Sequence, residues 1–232
     1  MIKNIMFDMD GTLIDCNARA FIPVYVGAIK QRFGELGGRI AKIAIEGAEV
    51  MIRNDGSRTN REAFMEYAAP LLPMPVDEFE REMTDFYERE YRAVSSVVTG
   101  RPVMRKAVKT LKAKGVKLIV TTNPVFPLSA LLFRLSSGGQ DPADFDFVTS
   151  YETSSFAKPD PRYYSEVLAR SGLKAEETLI VGNDYAEDVV AGKAAGMLAY
   201  YLTDSPISSG KENVRSDFKG SSEDFLDFAE KL

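Results

Sequence analysis

A chain of 232 residues, 45% hydrophobic and 27% charged, can bury a sizeable core and has the composition of an ordinary soluble globular protein. A formal net charge of −5 argues against a general nucleic-acid binder, and the one cysteine, Cys16, excludes an internal disulfide and fits a reducing compartment. Histidine is absent, so Ser-His-Asp and Cys-His catalysis and His-ligated zinc are excluded, and any proton transfer falls to carboxylates, Lys, Tyr or Cys.

In chain order, the first expected strand is residues 3–7, which runs directly into Asp8-Met9-Asp10-Gly11-Thr12. Two carboxylates one residue apart oppose each other's ionisation unless a cation or donors lie between them. A hard cation such as magnesium resolves that conflict with oxygen ligands, and Gly-Thr lets the chain turn and present N–H groups to an anion. Alone, the pentapeptide also fits a calcium loop or a simple turn.

Residues 16–95 carry helical patterns without a convincing strand. Thr59-Asn60-Arg61-Glu62 has capping-box spacing, and residues 75–91 repeat Phe79, Met83, Phe86, Tyr87 and Tyr91 near helical period. This segment reads as a helical insertion of residues 16–95 between core segments 1–15 and 96–232, with hinges just after Asp15 and at 95–101. The aromatics are expected in the insertion's own core rather than around a substrate, and Arg19 and Arg53 on its surface. Cys16 is expected to be a structural thiol, because no histidine is present to activate it.

Further strands are expected at 116–121, 145–149, 178–181 and 198–202, separated by helices at 102–114, Pro161–Ser171 and 186–195. Pro near each start and Gly after each end punctuate the first two of these helices. Residues 205–210 read as a surface loop and 223–232 as a closing helix. Strand, helix, strand in this rhythm predicts an α/β fold, a doubly wound parallel sheet with a helical insertion. No apolar stretch is long enough to span a membrane. The N-terminus lacks the pattern of a signal peptide, so the expected location is cytoplasmic, with no membrane partner.

Ligands of open parallel sheets bind at the carboxyl ends of the strands. In this chain those ends carry Asp8 and Asp10, Thr121-Thr122-Asn123, Lys158-Pro159 and Gly182-Asn183-Asp184 with Asp188. Each has an ordinary reading too: Thr122 as a hydroxyl capping its own backbone, Lys158 as a solvated loop lysine, Asp184 and Asp188 as the start of a helix.

Taken together, the four motifs, in this order, resemble the haloacid dehalogenase-like superfamily in its phosphatase branch, and the strand pattern extends the likeness over essentially the whole chain. The resemblance implies a Rossmann-like core with an inserted all-helical cap domain. It implies a Mg2+-dependent phosphohydrolase of a small phosphorylated metabolite, with Asp8 as nucleophile forming an aspartyl-phosphate. It implies Asp10 as acid and base toward leaving group and water, and Thr122, Asn123 and Lys158 around the phosphoryl oxygens. Metal ligands would be Asp8, the Asp10 carbonyl and a motif-four carboxylate, Asp184 before Asp188, with Asp188 alternatively orienting Lys158. Asn183 stands where many relatives have Asp, which leaves a register shift to Glu187 or Asp188 open. A phosphomutase of the β-phosphoglucomutase type shares all four motifs and stays as an alternative, a non-catalytic binding module as a weaker one. Dehalogenases of this type lack an acid at the position of Asp10, because halide leaves without a proton. The expected assembly is a monomer or weak homodimer.

Overall fold

The computed structural model describes residues 1–208, 210 and 212–232, so part of the loop expected at 205–210 lies outside the described residues. Six strands form one parallel sheet in the order β5-β4-β1-β6-β7-β8. They are β1 (Asn4–Phe7), β4 (Lys117–Val120), β5 (Phe147–Val148), β6 (Thr178–Gly182), β7 (Leu198–Leu202) and β8 (Phe218–Gly220). The edge strand β8 is short and follows a polar stretch, so no apolar run announces it. A separate antiparallel pair joins β2 (Ile14–Asp15) to β3 (Thr99–Gly100), at the two expected hinges.

β1 is buried along its whole length because both its neighbours and both sheet faces are covered, which is why it reads as a continuous apolar run. Its side chains alternate: Ile5 and Phe7 pack with Leu118, Val120, Leu179 and Val181 on one face, Met6 with Ile119 and Ile180 on the other. The first face is covered by α5 (Pro102–Ala113), α6 (Leu128–Ser137) and α9 (Ser222–Lys231). The second is covered by α7 (Pro161–Ser171) and α8 (Ala191–Ala194). Helices on both faces make the sheet doubly wound.

The expected helix at 186–195 is instead a π-helical turn, Tyr185–Val190, that tightens into α8 only at Ala191. Asp188 reaches back with one carboxylate oxygen to the Asp184 N–H (3.0 Å) while its other faces Lys158, and the widened turn accommodates both contacts.

Between β2 and β3 the chain is helical: α1 (Ala18–Phe33), α2 (Gly37–Ile52), α3 (Asn60–Ala68) and α4 (Val76–Glu88), then short turns to Val97. The capping box forms as read, with Thr59 and Glu62 exchanging side-chain and backbone bonds. Phe79, Phe86 and Tyr91 fill the core of this bundle together with Phe21, Tyr25, Ile40 and Phe64. Ala130 of α6 belongs to the same cluster, so the bundle and the sheet domain share a packed boundary. Arg19 is exposed, and Arg53 pairs on the surface with Glu49.

α3 is bonded to the loops beyond the strand ends. The backbone N–H groups of Asn60 and Arg61, orphan donors of a helix start, give to the Ser154 and Tyr151 carbonyls at 2.8 Å each. The buried Asn60 carboxamide donates to the Pro124 carbonyl (3.1 Å) and, more weakly, to that of Phe156 (3.4 Å). Asn60→Ala leaves those two carbonyls without their partner, so we expect a loss of about 2 kcal/mol in urea denaturation. A change below about 0.5 kcal/mol would show that these bonds do not hold the helical segment to the loops.

Candidate active site

The site follows from the strand order. β1 connects onward to β4 and β5 on one side, and the chain then crosses to β6, β7 and β8 on the other, so the order reverses at β1. Phe7 pairs in register with Val120 and Val181, and the ladder runs one step further through Asp8 N–H to the Val181 carbonyl (2.9 Å) and Thr121 N–H to the Phe7 carbonyl (2.7 Å). Asp8 is therefore level with Thr121 and Gly182 on the two adjacent strands, and Thr122 and Asn183 follow one residue on, all at the topological switch point.

Lys158 arrives there from the loop before α7. Its ammonium donates to Asp8 Oδ1 (2.8 Å) and to Asp188 Oδ1 (2.7 Å), and the side chain is wholly buried. Tyr164 supports the same cluster, donating its hydroxyl to Asp188 Oδ1 at 3.2 Å and to the Glu187 carbonyl at 3.1 Å. Burial works to deprotonate Lys158, but Asp188 and Asp8 outweigh it and hold the ammonium well above the ordinary lysine value. Burial also raises the Asp188 carboxyl against the pull of Lys158. The solvated loop lysine that sequence alone allowed is thus excluded.

Asn123 does not point its carboxamide into open space. It donates to Glu187 Oε2 (3.1 Å) and accepts from the Lys158 N–H (3.0 Å), so it fixes the loop that presents Lys158. The Thr122 carbonyl is held by the Thr149 hydroxyl (3.1 Å) and the Tyr163 hydroxyl (2.8 Å), and no protein partner is recorded for its own hydroxyl among the described residues. Asp184 caps the π-helical turn through the Ala186 and Glu187 N–H groups, both at 2.9 Å and both on Oδ1. Glu187 is raised above the usual carboxylate range, chiefly by burial.

Asn183, the departure from the common motif, acts as a clasp. Its Oδ1 accepts from the Thr12 hydroxyl (3.2 Å), its Nδ2 donates to the Ser205 carbonyl (2.7 Å), and its carbonyl receives the Ile207 N–H (2.8 Å). The close approach requires glycine opposite it: Gly11 sits at φ +81°, and a Cβ there would lie 2.4 Å from Asn183 Nδ2. Arg101 braces the same turn, donating to the Gly11 carbonyl (2.6 Å) and pairing with Asp15 (2.9 Å).

Two further residues at this rim escaped the sequence reading. Arg134 of α6, 4% exposed, pairs with Asp10 through one guanidinium nitrogen. Its signal was available, since it is a charge beside Leu131 and Leu135 on the apolar stripe of a helix. Tyr164 carried none, because an aromatic on the buried face of α7 looks like core. Asp10 stands above the usual aspartate value because burial outweighs the opposing Arg134 charge. Cys16 is a free, half-buried thiol near Arg134, raised mainly by burial. A cavity of about 260 Å³ is lined by Tyr25, Phe64, Met83, Tyr87 and Tyr151, and none of Asp8, Asp10, Lys158 or Asp184 borders it.

A family model for haloacid dehalogenase-like hydrolases matches residues 2–196. The chain belongs to that hydrolase family, and is an enzyme by that membership. It is 30% identical over 195 residues to a phosphoglycolate phosphatase of Pseudomonas fluorescens, covering 83% of this chain and 66% of that one. It therefore spans about two thirds of the length of the curated relatives it matches, with 66% and 68% of the first two covered. Among solved structures, a 2-haloacid dehalogenase of Pseudomonas syringae superposes with a TM-score of 0.67 at 20% identity, over 98% of this chain and 97% of that one. A structure from Thermotoga maritima assigned as a β-phosphoglucomutase superposes with 0.61 at 22% identity, over 100% of both chains. At such identity the two structures speak for the fold alone. Among the described residues, no helix is long and apolar enough to cross a membrane.

The site makes one mechanical demand that can be tested. Gly182 lies against Asp188, and a Cβ there would fall 2.1 Å from Asp188 Oδ2. Gly182→Ala must therefore push the carboxylate off Lys158. We expect turnover to fall about 100-fold, as small misplacements at reacting centres do, with circular dichroism unchanged. An unaltered rate would show that the Lys158–Asp188 contact is dispensable.

Proposed function

We infer that the protein is a phosphatase of small phosphorylated metabolites, with Asp8 as its nucleophile. The observation that carries this reading is the state of the Asp8 carboxylate. One oxygen is tied to a buried ammonium, and no protein hydrogen bond is recorded to the other among the described residues. A rotamer fixed in this way aims a single oxygen outward at the switch point, where a phosphoryl group can be attacked in line. Lys158 and the Thr122 hydroxyl would bind the phosphoryl oxygens, while Asn123 serves by holding the loop. Asp10, two residues on, would protonate the leaving alkoxide and then take the proton of the water that opens the aspartyl-phosphate.

The donor set fits a divalent cation of the magnesium kind. Asp188 is committed to Lys158 and the Asp10 side chain to Arg134, and no group of three ligating side chains exists among the described residues. What remains is Asp8, Asp184 and the Asp10 carbonyl. Such a sparse oxygen set suits Mg2+, which keeps its waters and uses one or two carboxylates plus substrate phosphate. When bound, it would supply charge neutralisation at the transferring group.

Helices α1–α4, residues 16–95 on the sequence division, would act as the cap that excludes bulk water. The names of the curated relatives make 2-phosphoglycolate the first compound to try. A phosphomutase draws support from fold likeness alone, and a non-catalytic module would not need the buried lysine and paired carboxylates kept together. The free thiol of Cys16 agrees with a reducing, cytoplasmic location.

Phosphate release from 2-phosphoglycolate, other phosphorylated metabolites and para-nitrophenyl phosphate should require Mg2+ and stop with excess chelator. Asp8→Asn should abolish it, and retention within about tenfold, only about 1.4 kcal/mol of barrier, would sink the mechanism. Asp184→Ala should raise the Mg2+ concentration giving half-maximal rate. An unchanged titration would move the metal to Glu187 or Asp188.

A further inference from the structure

Among the described residues, Arg134 is the one arginine that is buried, and it lies against two aromatic rings. Its guanidinium carbon lies over the ring of Phe21 of α1, 4.8 Å from the ring centre, and 6.0 Å from the centre of Phe126. One edge is directed at Asp10 Oδ1. Its Nε–H is buried with no hydrogen-bond partner. A buried orphan donor works against stability, so the guanidinium is not explained as a device for holding α6 in place. It instead packs against two rings that meet edge-to-face from opposite sides of the boundary, Phe21 from the helical bundle and Phe126 from the loop after β4. A planar fork held in this way constrains the carboxylate it binds in both distance and direction.

We propose that Arg134 is the positioning residue for Asp10. It holds the carboxylate at one orientation, with Oδ1 engaged and Oδ2 directed toward the leaving group. The proposal rests on the phosphatase reading and adds to it a residue on α6, outside all four motifs. Loss of the guanidinium would free Asp10 to sample other rotamers, so proton delivery to the leaving oxygen would fail while Asp8, Lys158 and Thr122 stayed in place. In the first chemical step the Asp8 oxygen bonds to phosphorus as the P–O ester bond breaks, and the alkoxide takes the Asp10 proton. A para-nitrophenolate leaves without that proton.

The test compares kcat/KM, which reports the steps up to the aspartyl-phosphate, for the alkyl phosphates 2-phosphoglycolate and glycerol 3-phosphate against para-nitrophenyl phosphate. Arg134→Met should lower the alkyl phosphate values about 100-fold, within the range of general acid catalysis, and the para-nitrophenyl phosphate value less than about fivefold. Arg134→Lys, which keeps the charge but loses the fork, should recover part of the alkyl phosphate rate. Phe21→Leu, which removes the nearer of the two rings, should show the same bias in milder form. Equal losses for both leaving groups would mark the pair as structural and overturn the proposal, as would no loss at all. If Arg134→Met does not fold, the same bias is read from Arg134→Lys and Phe21→Leu, and its absence there overturns the proposal equally. Parent protein that hydrolyses none of these esters fails the phosphatase reading itself, a result distinct from an unbiased loss.

Discussion

The buried ammonium of Lys158, shared between Asp8 and Asp188, is the contact on which the rest of the site depends. A charge without exposure is tolerated only when paired and hydrogen-bonded, and removal of one partner from such a cluster costs about 3–5 kcal/mol. Each element near it can be understood as meeting that requirement. β1 and β6 deliver the two carboxylates, the π-helical turn bends Asp188 inward, and Asn123 clamps the Lys158 backbone. On the proposed reading the same cluster would perform chemistry because its charges need not cancel: two carboxylates face one ammonium, an arrangement that would invite a cation.

Around this centre the structure assigns each polar side chain a single task. Asp188 and Tyr164 serve Lys158, Asn183 clasps the motif-one turn to the loop at Ser205, and Arg101 braces that turn from outside. Among the motif carboxylates of the described residues, Asp188 has both oxygens engaged, Asp10 is paired with Arg134 through one, and Asp8 and Asp184 each keep one oxygen without a recorded protein partner. This division explains how five carboxylates can crowd one rim. Several already face protein donors, and on the proposed reading Asp8 and Asp184 would suffice for a cation that prefers water and phosphate to a protein cage.

The helical segment is joined to the sheet domain by more than the two-stranded β2–β3 hinge. Asn60 and Arg61 bond to the loops that follow β4 and β5, and Phe21 covers the guanidinium that holds Asp10. These contacts place the bundle's polar and aromatic anchors on the loops that present Asn123 and Lys158. On the proposed reading substrate choice and chemistry would meet at this boundary, where packing is continuous through Ala130.

Sequence by itself determined the parallel sheet, the identity of its central strands and the four clusters at their ends. Those features are local: apolar runs buried on both faces, Pro and Gly at helix ends, and carboxylates immediately after a strand. It also found the capping box of α3, because that device is written within four residues. The strand β8, the π-helical turn and the partners of Asn123, Asn183 and Asp188 were decided only by tertiary structure. Arg134 is the clearest case. Its meaning depends on Asp10, 124 positions away in the chain, and on Phe21 and Phe126. A side chain's charge is legible in sequence, whereas its orientation is set by the groups that packing brings against it.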